Sequence, residues 1–274
     1  MEGATIAPGR SSLTAFAEQF RQWVVEPVLS VLFPPRCVGC GDFESYLCDA
    51  CRESLAHITA DACPRCGEPG AAASMHGRCA QCVDKQLNFA AARGAFRHEG
   101  LARRLVAEFK FGGQPVLGRV MAELAYPAFA GFLSSLRVPP ERLIVTWVAC
   151  RRSAERERGY NQAELLARGL TRLCAPEARP SGPVALVAKT QATKNQKGLS
   201  RAGRQGNLQG AFEFAPGAAT RLGPDTAGIV LVDDVYTTGA TAGEVSAVLT
   251  QSTRLPVHVF TFSRAVVRGS ERHD

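Results

Sequence analysis

Two adjacent aspartates follow an apolar run near the carboxyl end of the chain, in the stretch IVLVDDVYTTGAT at 229–241. Four apolar residues, three of them β-branched, predict a buried strand over 229–232. Asp233 and Asp234 then stand at the carboxyl end of this predicted strand, where open α/β sheets bind their ligands. Because neighbouring carboxylates can accept hydrogen bonds from vicinal hydroxyl groups, the pair indicates a site for a polyol.

A loop of small residues follows the acid pair. It consists of Thr237, Thr238, Gly239, Ala240 and Thr241. Thr241 and Glu244 match the spacing of a capping box, which predicts that a helix opens at Thr241. Backbone N–H groups, threonine hydroxyls and the helix dipole all favour a phosphate at such a place. The whole stretch therefore predicts a site for a polyol that bears a phosphate.

Strands that end in acidic residues also occur in several unrelated classes of protein. The Mg²⁺-binding strand of a P-loop ATPase ends in this way, but the sequence contains no G-x-x-x-x-G-K-[ST] motif. Phosphatases and response regulators place acids at strand ends without the Thr-Thr-Gly-Ala-Thr loop. An ordinary strand, turn and helix with solvated acids is the remaining structural alternative.

Eight of the ten cysteines fall between residues 37 and 82, in four C-x-x-C pairs. The pairs are Cys37/Cys40, Cys48/Cys51, Cys63/Cys66 and Cys79/Cys82. Since two such pairs complete a tetrahedral site, the spacing predicts two structural zinc ions. The alternative, a disulfide framework, requires an oxidising compartment. Pairing in chain order and an interleaved cross-brace both fit the spacing.

The charge balance and the hydropathy limit the class of protein. The chain has 274 residues and a formal net charge of +7. Each four-cysteine zinc site changes this charge by −2, so the loaded protein would carry about +3, which weakens the argument for nucleic acid. No segment has the apolar length of a membrane span, and the start lacks a secretory pattern. A soluble, cytoplasmic protein is therefore predicted.

The element pattern predicts an α/β fold with a largely parallel sheet flanked by helices. Strands are expected over 89–96, 142–152, 229–232 and 256–263, with a short strand at 211–215. Helices are expected over 99–110, 115–136 and 161–173 and after 241. Three parts follow: an amphipathic helix within 1–35, a double zinc-ribbon module at 36–86, and the α/β domain at 87–274. The single cysteines Cys150 and Cys174 are interpreted as small buried hydrophobes.

Four stretches together resemble the ComF (GntX-like) family: a zinc-ribbon module followed by a type I phosphoribosyltransferase domain. They are the C-x-x-C array, RERGYNQAELLARGL at 156–170, NQKGLSRAGRQGNLQGAF at 195–212, and IVLVDDVYTTGAT. The last stretch is similar to the phosphoribosyl pyrophosphate (PRPP) signature of type I phosphoribosyltransferases. One segment departs from the family: residues 147–150 read Trp-Val-Ala-Cys where a Pro-Val-Pro-like turn is usual.

The resemblance implies a PRPP-like ligand, Mg²⁺ and, for some relatives, a role in natural transformation. Asp233 and Asp234 would hold the ribose hydroxyls, directly or through Mg²⁺. Residues Thr237, Thr238, Gly239, Ala240 and Thr241 would hold the 5-phosphate. Arg158, in the motif RGYN, is the arginine favoured for pyrophosphate over its neighbours Arg151, Arg152 and Arg156. Lys189 and Arg204, in a polar segment at 189–210, would close over the ligand as a lid.

Three functions fit these residues. The first is transfer of a phosphoribosyl group from PRPP to an unidentified acceptor. The second is a PRPP- or nucleotide-sensing module without catalysis, which the departure at 147–150 favours. The third is an accessory protein that handles single-stranded DNA or binds other proteins of the competence machinery. The sequence does not reveal the acceptor.

Overall fold

The computed structural model describes residues 34–70, 79, 80, 82, 83, 85–190 and 210–266. Most of the segment at 1–35 with its predicted amphipathic helix, most of the predicted lid and its Arg204 lie outside these residues. The chain divides into two compact units, residues 1–49 and 50–274. The three-part division predicted from the sequence stays a prediction.

A sheet of four parallel strands forms the centre of the second unit. The strands are β1 (Ala91–Arg97), β2 (Leu143–Trp147), β5 (Gly228–Tyr236) and β6 (Val257–Arg264), in the spatial order β1-β6-β5-β2. Two short strands, β3 (Val187–Lys189) and β4 (Phe212–Phe214), form a separate antiparallel pair. The predicted α/β class with a parallel sheet is confirmed.

The second unit also contains α-helices in the described part of the chain. They are α2 (Gly100–Phe111), α3 (Leu117–Ser135), α4 (Arg152–Arg158), α5 (Gln162–Leu173) and α6 (Ala240–Thr253), while the short α1 (Asp49–Glu53) spans the boundary between the units. Helix α5 packs on β2, β5 and α3, whereas α6 packs on β5, β6 and the β3–β4 pair. None of the helices in the described part of the chain is long and apolar enough to cross a membrane.

The core is built from the apolar runs that the sequence marks. All five residues of β2 are buried, as are the first five of β5 and all eight of β6. Strands covered on both faces read as continuous apolar runs, which is why the strands were visible in the sequence. Phe129 of α3 meets Phe260 of β6 edge to face, with ring centroids 4.9 Å apart.

Several predicted boundaries are wrong. Strand β2 stops at Trp147, and α4 begins at Arg152, inside the segment predicted as strand. Strand β5 continues to Tyr236 because its pairing with β6 extends to Tyr236 and Arg264. Helix α3 begins at Leu117, two residues after Pro115.

Candidate functional site

The acid pair lies inside strand β5, beyond the end of strand β2. Val232 is the last residue of β5 paired with β2, and its carbonyl accepts a further hydrogen bond from the Val148 N–H. Asp233 pairs with Thr261 of β6 on the other side. The prediction that the aspartates follow the strand is therefore wrong, but they do stand where one neighbouring strand has ended. That open edge gives a ligand access to them.

Asp234 is buried and has a cationic partner. The Lys110 ammonium, at the end of α2, lies 2.8 Å from Asp234 Oδ2, and both side chains are largely shielded from water. Sequence reasoning missed this lysine, although EFKFGG placed a basic residue in the last turn of a predicted helix. A buried carboxylate requires such a partner to stay ionised. Lys110 thus pairs with Asp234 and fixes the orientation of its carboxylate.

Asp233 is half-buried, and its carboxylate takes a different role. Its Oδ1 accepts a hydrogen bond of 2.8 Å from the Asp234 N–H. Burial and the neighbouring charge of Asp234 raise the pKa of Asp233 to about 7, against the opposing effects of Lys110 and Lys189. The ligand-free site therefore holds one firmly paired carboxylate and one that lacks a sufficient positive charge. A bound cation or a set of hydroxyl donors would supply what Asp233 lacks.

Asp233→Asn should change how stability depends on pH. With a raised pKa, folded Asp233 keeps its proton between about pH 4 and pH 7, where the unfolded chain has lost it. The wild type therefore loses stability relative to the variant as the pH rises through this window, and the difference becomes constant above it. Urea unfolding of both proteins at several values from about pH 5 to about pH 8 measures the effect. A difference that does not vary with pH would contradict it.

Lys189 is the second lysine near the pair. It ends strand β3, and burial, reinforced by the positive charge of Arg151, lowers its pKa, while Asp233 and Cys150 act in the opposite direction. Its ammonium also lies 4.8 Å from the centre of the Phe212 ring. The structure thus brings predicted residue Lys189 into electrostatic range of Asp233.

A cavity of ≈ 440 Å³ opens beside Lys189 at the end of β2. Its lining includes Trp147, Cys150, Arg152, Asn161 and Lys189. Cys150 is half-buried there, so it is less buried than predicted, whereas Cys174 is buried as expected. The segment between β2 and α4 therefore faces open space large enough for a ligand group.

Gly239 determines the shape of the small-residue loop. Its φ of +81° lies in the left-handed region, and a Cβ there would overlap the phenol oxygen of Tyr236. Only glycine satisfies both conditions without strain. Thr237 and Thr238 are exposed, and Thr238 Oγ1 accepts a hydrogen bond of 3.3 Å from the Ala240 N–H. The loop thus presents hydroxyl groups and the start of α6 to the solvent.

The predicted capping box is wrong. Helix α6 begins at Ala240 with Gly239 as its N-cap, and this N-cap residue has no side chain to cap the helix. Thr241 is therefore already helical, and Glu244 Oε1 instead accepts a hydrogen bond of 3.0 Å from the Gly210 N–H. Thr190 Oγ1 donates to the Gly210 carbonyl at 2.7 Å, so Thr190 and Gly210 meet beside α6. A loop glycine in place of a side-chain cap leaves the helix N-terminus open to an anion.

Gly239→Ala should damage the loop, whereas Gly243→Ala should not. The first variant forces a left-handed backbone and a clash with Tyr236, at a cost of at least about 1 kcal/mol. Gly243 lies in α6 with open space around it, so alanine there should stabilise the helix by about 0.5–1 kcal/mol. Thermal unfolding of both variants measures the contrast. Equal effects of the two substitutions would contradict this role of Gly239.

The motif RGYN at 158–161 mainly builds the surroundings of the site. Asn161 caps α5, its Oδ1 accepting from the Ala163 N–H at 3.0 Å, and its amide donates to the Val148 carbonyl at 3.2 Å. The Tyr160 hydroxyl donates to the Phe109 carbonyl at 2.6 Å, which fixes the end of α2. These bonds position the segment after β2 and the helix that carries Lys110.

Arg158 lies at the side of the site. Its guanidinium donates to Gln162 Oε1 at 3.1 Å and lies 5.2 Å from the centre of the exposed Phe111 ring. Among the described residues, no hydrogen bond or ion pair joins it to either aspartate. A role for Arg158 with pyrophosphate therefore stays a prediction.

The eight clustered cysteines form two groups in chain order. Cys37, Cys40, Cys48 and Cys51 form one, and Cys63, Cys66, Cys79 and Cys82 form the other. All four sulfurs of each group lie within 4.8 Å of one another, and five of the sulfur pairs are 3.6 to 3.8 Å apart, far beyond disulfide bonding. Four sulfurs at ~2.3 Å from a tetrahedral zinc are separated by about 3.8 Å. The two groups therefore fit two structural zinc ions. The C-x-x-C pairs combine in chain order, not as an interleaved cross-brace.

Backbone donors favour the thiolate form of one cysteine in each cluster. Burial opposes ionisation of Cys63, but N–H groups of Cys66, Arg65 and Cys79 outweigh it and lower its pKa to about 7. Cys37 shows the same balance, with a pKa lowered to about 6. Burial raises the pKa of Cys66 and Cys82 in the second cluster, so zinc binding must release their protons.

Comparisons with known proteins agree with this arrangement. Residues 28–83 match the family described as a double zinc ribbon domain. The chain is 27% identical to competence protein ComFC of Bacillus subtilis over 231 residues, 81% of this chain and 82% of the relative. It is 28% identical to competence protein F of Haemophilus influenzae over 238 residues, 84% and 97% respectively. DNA utilization protein YhgH of Escherichia coli K12 is 27% identical over 208 residues, 74% and 84%.

The parallel sheet with flanking helices and the two four-cysteine clusters define a zinc-ribbon protein with a phosphoribosyltransferase-like α/β fold. The similarity to the competence proteins extends over most of the chain. The resemblance to the ComF family drawn from the motifs is thus confirmed.

Proposed function

We propose that the protein binds PRPP, or a related ribose phosphate, with Mg²⁺ at Asp233, Asp234 and the loop at 237–241. The observation that supports this most is the acid pair at the open edge of the sheet, directly followed by the left-handed loop at Gly239 and the uncapped start of α6. The carboxylates suit the ribose hydroxyls, and the loop with its helix N-terminus suits the 5-phosphate.

The two aspartates have different roles in the proposed binding of the sugar. Lys110 pairs with Asp234 Oδ2 at 2.8 Å and orients the side chain, so the other carboxylate oxygen of Asp234 is the one that accepts from the sugar. Asp233, half-buried and short of positive charge, accepts hydrogen bonds from the ribose hydroxyls. Two carboxylates suit Mg²⁺, which commonly binds one or two protein carboxylates and takes its other oxygens from phosphates and water. When bound, Mg²⁺ supplies positive charge for the pyrophosphate group.

The reaction we propose is transfer of the phosphoribosyl group. The bond between the anomeric carbon and the pyrophosphate oxygen breaks, its electron pair leaves with pyrophosphate, and a nucleophile on the acceptor forms the new bond. The sugar becomes cationic in the transition state, so the negative potential of Asp233 and Asp234 stabilises it. Lys189, in electrostatic range of Asp233, supplies positive charge for the leaving group.

Pyrophosphate release from PRPP tests the transfer. Purified protein should release pyrophosphate when supplied with Mg²⁺ and one member of a panel of purine and pyrimidine bases. Asp234→Asn should abolish the release while Asp225→Asn, an exposed turn residue, should not. Binding of PRPP without pyrophosphate release from any base would support the sensing function instead.

A role in DNA uptake is the wider setting that we propose. It comes from the relatives, whose names are competence protein and DNA utilization protein. One surface feature favours contact with single strands: Phe111 is 77% exposed, and the Arg158 guanidinium lies 5.2 Å from its ring centre. An exposed aromatic ring beside an arginine is the usual platform for an unpaired base. Proteins of the competence machinery are the alternative partners.

Phe111→Ala should weaken binding of a labelled oligothymidine by about 5-fold or more, the loss expected from one stacked base. Fluorescence anisotropy at fixed, moderate salt measures the affinity. Leu173→Ala is the matched control, because Leu173 is another exposed apolar side chain. Equal affinities for the wild type and both variants, or no binding at all, would contradict the single-strand platform.

A further inference from the structure

Arg264 links the second zinc cluster to strand β5. It is the last residue of β6, paired with Arg97 of β1 on one side and Tyr236 of β5 on the other. Its buried guanidinium donates to Glu68 Oε2 at 2.7 Å and lies 3.8 Å from the sulfur of Cys66. It also lies 4.1 Å from the centre of the Tyr236 ring.

A buried arginine of this kind is costly unless its charge is fully matched. Glu68 is also buried, and its carboxylate balances the positive charge of Arg264 on one side of the guanidinium. Among the described residues, Nε and Nη1 of Arg264 have no hydrogen-bond partner. The sulfur of Cys66 is the second anion available to the guanidinium once the cluster holds thiolates. Outer groups that donate to a metal ligand commonly tune and orient it.

The knuckle that carries Cys66 and Glu68 is fixed to the sheet by further bonds. The Ala92 N–H donates to the Arg65 carbonyl at 3.0 Å, and the Arg65 guanidinium donates to the Leu87 carbonyl at 3.0 Å. A Cβ at Gly67 would lie 2.6 Å from the Ala92 carbonyl oxygen, so the knuckle approaches β1 as closely as glycine permits. A movement of the knuckle would therefore also displace the Arg264 side chain.

Tyr236 lies between Arg264 and the small-residue loop. The guanidinium packs on its ring, and Phe89 meets the same ring edge to face at 6.2 Å. The phenol oxygen occupies the space beside Gly239 that any larger residue would need. The position of the Tyr236 ring thus limits the position of Gly239 and of the loop around it.

We propose that Arg264 is a positioning residue that couples zinc binding at the second cluster to the conformation of the loop at 237–241. Zinc-bound Cys66 and Glu68 hold the guanidinium, the guanidinium holds the Tyr236 ring, and the ring supports Gly239. Loss of zinc, or of the arginine charge, releases the ring and loosens the loop. The coupling goes beyond the proposed function, since it holds whichever ligand the loop binds.

Hydrogen exchange of the full chain without sugar phosphate tests the coupling. In Arg264→Gln, amides of 236–243 should exchange about 10-fold faster than in the wild type, because the loop opens more often. The second cluster should also bind zinc more weakly, with an affinity lower by about 10-fold or more, as for other changes to groups that contact a metal ligand. Arg264→Lys keeps the charge but cannot pack a planar group on the ring, so its loop should exchange at an intermediate rate. Arg119→Gln, at an exposed helix pair, is the control.

Zinc removal from the wild type by a chelator gives a second readout that needs no variant to fold. Exchange at 236–243 should rise after chelation, and Cys40→Ser, which disables the other cluster, should leave it unchanged. Unaltered exchange in Arg264→Gln together with unaltered exchange after chelation would overturn the coupling. Because no ligand is present, a failure of ribose-phosphate binding would not affect this result.

Discussion

Cys63→Ser should cost the protein one zinc ion and much of the stability of the sheet. Cys63 and its three partners are buried, and their knuckle is bonded to β1 and, through Arg264, to β6. Structural zinc contributes about 10–16 kcal/mol of apparent binding free energy in small zinc-binding peptides, which here adds to folding. The variant should therefore unfold at a markedly lower temperature, as the fluorescence of the buried Trp147 on β2 reports.

Cys37→Ser is the matched control for that experiment. It also removes one thiolate from a four-cysteine cluster, but three of the four ligands in that cluster, Cys37, Cys40 and Cys48, belong to the unit at 1–49 rather than to the unit that contains the sheet. Elemental analysis should give close to two zinc ions per chain for the wild type and about one for each variant. The Trp147 transition of Cys37→Ser should stay near that of the wild type. Equal losses in the two variants, or a wild type without zinc, would contradict the assignment.

Asp234→Asn should abolish most of the affinity for PRPP. The substitution removes a charge that Lys110 balances at 2.8 Å and leaves that ammonium partly buried without a counter-ion. It also removes a carboxylate that the sugar and Mg²⁺ would share. Removing a carboxylate that would pair with the bound Mg²⁺ and the sugar costs about 2–5 kcal/mol of binding free energy, so the dissociation constant should rise by a factor of about 30 or more.

Lys110→Met should reproduce part of this loss, because it leaves Asp234 without its cation. Asp225→Asn changes an exposed acid in a turn and should bind as the wild type does. Calorimetric titration of the four proteins with PRPP and Mg²⁺ gives the comparison. Wild-type affinity in Asp234→Asn would contradict the role given to the acid pair.

The sequence was most informative where local pattern determines structure. Apolar runs marked the buried strands, Asn161 marked the start of α5, and the C-x-x-C spacing marked the zinc ligands. Each of these features depends on residues that are close in the chain. For the same reason the pairing of the cysteine pairs stayed open until the fold brought particular sulfurs together.

The failures concern contacts between distant residues. The extension of β5 to Tyr236 depends on its pairing with β6, and local propensity at Asp233 and Asp234 argues against a strand. The partner of Asp234 is 124 positions earlier in the chain, and Arg264 meets Cys66 across 198 positions. The capping box failed because Glu244 bonds to Gly210 rather than to its own helix start. Each of these features depends on tertiary contacts that the local sequence pattern does not contain.

Direct titration of the zinc-loaded wild type with PRPP tests the central claim most simply. With Mg²⁺ present, one PRPP should bind per chain and raise the thermal midpoint with ligand concentration, as mass action requires. Ribose 5-phosphate should compete for the same site, and Asp234→Asn should show neither effect. A wild-type protein that holds its zinc, yet shows no heat of binding and no change of midpoint with PRPP and Mg²⁺, would contradict the proposed ribose-phosphate site.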